Sequence, residues 1–114
     1  MMYKGEWLAF FHGKWDNHRT RVAGQSSECK RRHVYTMGVV TFSPVPPFNI
    51  LRWTPHPVDV AAPDMTDGNY ADVIFPCGQV LHDGQFAVSM GLNDRRSEIR
   101  FYPEKWIESQ LITA

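Results

Sequence analysis

The sequence predicts an all-β chain of antiparallel meander sheets closed by a short helical turn, and three observations carry that prediction. Apolar and aromatic runs recur at strand length, Trp7 to Phe11, His33 to Phe42 and Phe86 to Leu92, each bounded by glycine, proline or a polar cluster. Gly5-Glu6-Trp7-Leu8-Ala9-Phe10-Phe11-His12-Gly13-Lys14 is echoed by Gly84-Gln85-Phe86-Ala87-Val88-Ser89-Met90-Gly91-Leu92-Asn93-Asp94, which suggests one supersecondary element used twice. Both copies end in polar residues (His12 to Asn17, Asn93 to Arg96), so those ends are expected to gather on one face. Proline and glycine punctuate the rest of the chain too often for long helices.

In chain order, Trp7 to Phe11 reads as a buried strand, and Gly13 to Arg32, which has no period, as a loop of about 20 residues of the kind that is usually functional or disordered. His33 to Phe42 is rich in β-branched and aromatic residues and is stopped by Ser43-Pro44. Pro46-Pro47 turns the chain into a third strand, Phe48 to Trp53, ended by Thr54-Pro55-His56-Pro57, whose prolines deny ladder donors. These segments form a first unit, 5–57. A polar linker, 58–71, leads to a second unit, 72–103: Asp72 to Phe75, a break at Pro76-Cys77-Gly78, then Gln79 to Leu81. The Asp83-Gly84 hairpin signal follows, with Phe86 to Leu92 and Ser97 to Tyr102 as the last strands. Pro103 to Leu111 predicts one short helix with proline in its first turn.

At 114 residues the chain fits one domain, with 43% hydrophobic and 13% aromatic residues in a globular composition. Its 12 basic and 12 acidic residues cancel, which leaves no global field for nucleic acid or an anionic membrane surface. No apolar run approaches the roughly 20 residues of a membrane span, and Met1 to Gly5 lacks a secretory core, so a cytoplasmic location is expected. Cys29 and Cys77 match no zinc or redox spacing and read as free thiols, Cys77 as a buried one. The histidines show no metal-ligand spacing, so neither a metal nor another cofactor is expected.

Several motifs in order, Phe10-Phe11-His12-Gly13, Tyr35-x-Met37-Gly38, Pro47-Phe48-x-Ile50-Leu51, Pro55-x-Pro57, Val73-Ile74-Phe75-Pro76-Cys77-Gly78 and Met90-Gly91-x-Asn93-Asp94, resemble the C-terminal part of glycoside hydrolase family 130. That family comprises the β-mannoside phosphorylases and related five-bladed β-propellers. The resemblance runs from about Gly5 to Tyr102 and implies two consecutive propeller blades. It implies that His12 contacts phosphate or faces the attacking water, that Tyr35 stands near the same site, and that Asp94 contacts the sugar. The family's catalytic aspartate and its phosphate-binding basic residues belong to blades that precede this chain, so no catalytic residue is assigned.

The candidate ligand residues are therefore His12, Tyr35 and Lys14 for phosphate, and Asp94, Asn93 and Arg95 for sugar. Physically, His12 ends an apolar strand where a ring nitrogen can meet an anion, while Lys14, Arg95 and Arg96 supply charge-assisted hydrogen bonds if they converge. The plain alternatives are a hydrogen-bonded strand-end histidine, a core tyrosine, an Asn-Asp turn and a solvated charged face. The expected function is carbohydrate or sugar-phosphate binding, with inorganic phosphate a possible co-ligand. β-Mannoside phosphorylase or glycosidase activity in an oligomer is one alternative, needing an acid from a partner chain or one such as Asp16. A ligand-free interaction module is the other. Unpaired sheet edges predict a homo-oligomer in which edge strands pair.

Overall fold

The computed structural model describes residues 1–17, 32–61, 71–93 and 96–114. Among these, the chain is mostly antiparallel β structure with one short helix, as the sequence predicts. The strands are β1 (Met2–Tyr3), β2 (Glu6–Asn17), β3 (Arg32–Phe42), β4 (Ile50–Trp53), β5 (Asp59–Val60), β6 (Ala71–Asp72), β7 (Ile74–His82), β8 (Gln85–Leu92), β9 (Arg96–Pro103) and β10 (Ile112–Thr113). The helix α1 spans Glu104–Gln110, with Pro103 in the capping position rather than in its first turn.

The first sheet has the order β1-β2-β3-β4-β10, and β5 and β6 also pair with β3. The second has the order β7-β8-β9. Two-residue turns join β1 to β2 and β7 to β8. Lys4-Gly5 (φ 48° and 80°) and Asp83-Gly84 (φ 50° and 72°) both take the left-handed backbone of a type I′ turn, which glycine adopts freely. The sequence echo of Gly5 and Gly84 is thus a real repeat of turn chemistry.

Four expectations are corrected. β2 continues through Asn17, laddered to Arg32–Thr36. Lys14, Asp16 and Asn17 look unlike a strand, but the strong β-former β3 offers them a full set of backbone partners. Residues 13–17 and 32 of the expected loop are therefore strand, while 18–31, Cys29 among them, lie outside the described residues. Pro76-Cys77-Gly78 is a bulge inside one strand, since the register shifts between Pro76 and Gly78 while β7 runs on. Proline is tolerated there because β7 is an edge strand. Cys77 sits on this bulge and is exposed, not buried. The segment 58–71 is not wholly linker: Asp59–Val60 pairs antiparallel with β3 and Ala71–Asp72 pairs parallel with it. The strands β1 and β10, two residues each, carry too little pattern to be anticipated.

The two sheets pack face to face. Leu8, Phe10, Met37 and Val39 from the first meet Ile74, Phe86, Val88, Met90 and Leu92 from the second, all buried. Edge-to-face rings fix the alignment, with Phe86 5.3 Å from Tyr3 and 5.6 Å from Phe10. Ile107 is buried and anchors α1 on the same core. Among the described residues no helix is long and apolar enough to cross a membrane.

Candidate functional site

By the two-residue period of a strand, Leu8, Phe10, His12 and Lys14 share one side of β2. Leu8 and Phe10 are buried while His12 and Lys14 are exposed. The inner face of β2 therefore outruns the core and carries its last two side chains beyond it. His12 is in register with Met37 and Lys14 with Tyr35, so half-buried Tyr35 shares that side. The edge strand β7 reaches the same place. Phe75 lies under the imidazole with ring centroids 4.2 Å apart and planes 31° apart, and Tyr35 is 5.8 Å from the imidazole centroid.

Asn93, the first residue of the second polar cluster, comes to this end as well. Phe86, at the start of β8, packs on Tyr3 and Phe10, whereas Gly91, near its finish, pairs with Phe75 beside His12. β2 and β8 therefore run the same way, and Asn93 follows at the His12 end. Asn93 has φ 52° and is buried. Its side-chain oxygen accepts the Val73 N–H at 2.8 Å, and its own N–H donates to the Val73 carbonyl at 2.8 Å. That reciprocal pair fastens the exit of β8 to the entry of β7. Asp94 and Arg95 lie outside the described residues.

A polar cluster that sequence reasoning missed stands one strand further along. His12, Met37 and Asp59 occupy one row across β2, β3 and β5. Asp59 Oδ2 accepts the Tyr102 phenol at 2.5 Å and the Arg100 Nη1–H at 2.9 Å, while Arg100 Nε donates to Glu98 at 3.2 Å. Burial first, then the hydrogen bond to Asp59 and its charge, push the Tyr102 phenol above its ordinary pKa. The missed signal was parity. In β9 the alternation Glu98, Arg100, Tyr102 against Ile99, Phe101 was visible, but the polar set points inward and the apolar set outward.

A second inward ion cluster closes the other end of the first sheet. Arg52 donates from Nε and Nη2 to Glu6 (3.0 and 2.8 Å) and from Nη1 to Glu108 at 2.9 Å. Burial alone would raise the Glu108 carboxyl, but Tyr3, Arg52 and Lys4 together hold it below its usual range. This cluster ties α1 to β2 and β4. Among the described residues no group of three or more His, Cys, Asp or Glu side chains is placed to hold a metal ion. No family model, curated protein or solved structure matches the chain.

Proposed function

We propose that the chain binds a carbohydrate or sugar phosphate at the His12 end and is not catalytic by itself. The observation that supports this reading is the seat of His12 on Phe75 beside Tyr35, at the point where an inner sheet face emerges into solvent. Aromatic rings accept the apolar C–H face of a pyranose, while imidazole and phenol exchange hydrogen bonds with its hydroxyls. Lys14, two residues on and exposed, supplies a mobile positive charge for a phosphate. The resemblance to glycoside hydrolase family 130 adds Asp94, next after Asn93, as a sugar contact.

Phosphorolysis or hydrolysis needs a free acid at His12. Asp59 shares its row, yet Asp59 Oδ2 is already taken by Arg100 and Tyr102, which favours binding over turnover. The test is a titration, followed by amide chemical shifts, with a β-mannobiose, inorganic phosphate and mannose 1-phosphate in turn. Saturable shifts around His12 and Tyr35 are expected. Affinity should fall about tenfold in His12→Ala, the worth of one lost hydrogen bond. Lys14→Ala should weaken only the phosphorylated ligand. Absence of saturation with all three ligands, or unchanged affinity in a folded His12→Ala variant, overturns the reading.

A further inference from the structure

Three strands of this chain carry charge inward and large apolar side chains outward. In β2, Glu6 faces Arg52 while Trp7 and Phe11 point away; in β4, Arg52 is inward while Ile50 and Trp53 are exposed. In β9, Arg100 is inward while Ile99 and Phe101 are 61% and 62% exposed. Because the sheets are stacked, these outward sets form two apolar faces on opposite sides of the molecule. Register extends each set: Trp7, Phe42 and Ile50 lie in one row of the first sheet, and Val40, Trp53 and Ile112 in another. In the second sheet Val80, Ala87 and Phe101 form a row, next to Ser89 and Ile99.

The two faces differ in relief. The first-sheet face holds an open hollow of about 300 Å³ lined by Phe11, Val40, Ile50, Trp53 and Ala114. A cavity of about 150 Å³ is enough for a benzene ring, so this hollow takes an aromatic side chain with room for a neighbour. The second-sheet face projects Phe101 and Ile99, its two most exposed apolar side chains. Among the described residues in these rows the first-sheet face has no charged member, and the second-sheet face is bounded only by His82. Among the described residues, the side chains in these rows are thus almost wholly uncharged on both faces.

We infer that the chain associates with further copies of itself head to tail, the second-sheet face of one copy, led by Phe101 and Ile99, seated in the Trp53 hollow of the next. The large exposed side chains offer roughly 300–450 Å² of apolar surface per face. That is about half of the roughly 800 Å² per partner in a standard interface, before the smaller residues between them are counted. Inside the chain the same stacking of unlike sheets already forms the core, so the contact repeats an arrangement this sequence makes. An interface between unlike patches is heterologous and gives a ring if its rotation closes and a filament if it does not. The inference is independent of the sugar site, and it differs from pairing through strand edges.

The test uses two variants at exposed positions, Trp53→Glu and Phe101→Glu, with Ile50→Glu and Ile99→Glu as a second pair should either fail to fold. Sedimentation velocity at tens of micromolar should show wild-type oligomers and each variant alone as monomer. An equimolar mixture of the two variants should form a one-to-one dimer, since one retains the knob and the other the hollow. A monomeric wild-type chain overturns the inference. So does a Phe101→Glu variant that stays dimeric, which indicates like-face or edge pairing, and so does a mixture of folded variants that remains monomeric.

Discussion

The hairpins β1–β2 and β7–β8 are built on the same turn and bury opposite sides. Beside Lys4-Gly5 the flanking pair, Tyr3 and Glu6, faces the core; beside Asp83-Gly84 the flanking pair, His82 and Gln85, faces solvent. Two residues after each glycine stands an aromatic, and the outcomes diverge: Phe86 is fully buried, Trp7 43% exposed. A turn fixes which residues pair, but parity against the neighbouring layer decides which face is covered. In the first hairpin that choice is made by Glu6, whose carboxylate has Arg52 waiting inside, and by Leu8 and Phe10, which complete the core.

The sharpest way to break this comparison is truncation of the two aligned aromatics. Phe86→Ala should cost about 3–5 kcal/mol in denaturant unfolding, and Trp7→Ala about 1 kcal/mol or less. Equal losses would mean that both hairpins bury the same side. A second measurement concerns the tyrosines. Tyr3, beside Glu104 and Glu108, and Tyr102, donating to Asp59, both have phenols raised above the ordinary value of 10.0, burial being the first cause in each. Folded values above the unfolded one mean that their contribution is complete below about pH 10 and is lost as pH climbs toward the raised values. The loss is about 1 kcal/mol per tyrosine for each pH unit above 10. Urea midpoints between pH 8 and 11 should therefore fall, and Tyr3→Phe or Tyr102→Phe should each flatten the decline; parallel curves for all three proteins would remove both phenols from the account. The smallest effect is the most symmetrical: Gly5→Ala and Gly84→Ala should each cost about 1 kcal/mol, because both glycines sit at positive φ with nothing near an added Cβ. A clear inequality would show that one turn is held by more than its backbone.

Much of this was legible in the sequence. The strand class, the Asp83-Gly84 turn and the terminal helix all follow from local runs and punctuation. What stayed hidden was parity and partnership. An alternating strand such as Ser97 to Tyr102 has two possible inner faces, and the apolar one is the natural guess. Only the placement of Asp59 opposite Met37 makes the polar face satisfiable inside. Phe75 was hidden for a related reason: it points outward from β7, and its role under His12 depends on how an edge strand of one sheet meets the ribbon of the other. Asn93 was legible as a turn residue, but its bond to Val73 joins residues twenty apart through a side chain, which no short window contains.

The ladder between β4 and β10 sets an order of events. The outer partner of β4 comes from beyond β9 and α1: Ile112 pairs with Trp53, Thr113 with Arg52, and the Ala114 N–H reaches the Leu51 carbonyl at 2.9 Å. During synthesis β2, β3 and β4 emerge with that flank bare, its backbone donors and acceptors open to any other strand. The first sheet is latched only after the second sheet and α1 have been laid down, because both intervene in the chain. The segment most exposed to mispairing on a ribosome is thus one that the finished molecule covers, and the latch that protects it is delivered only after a whole second sheet.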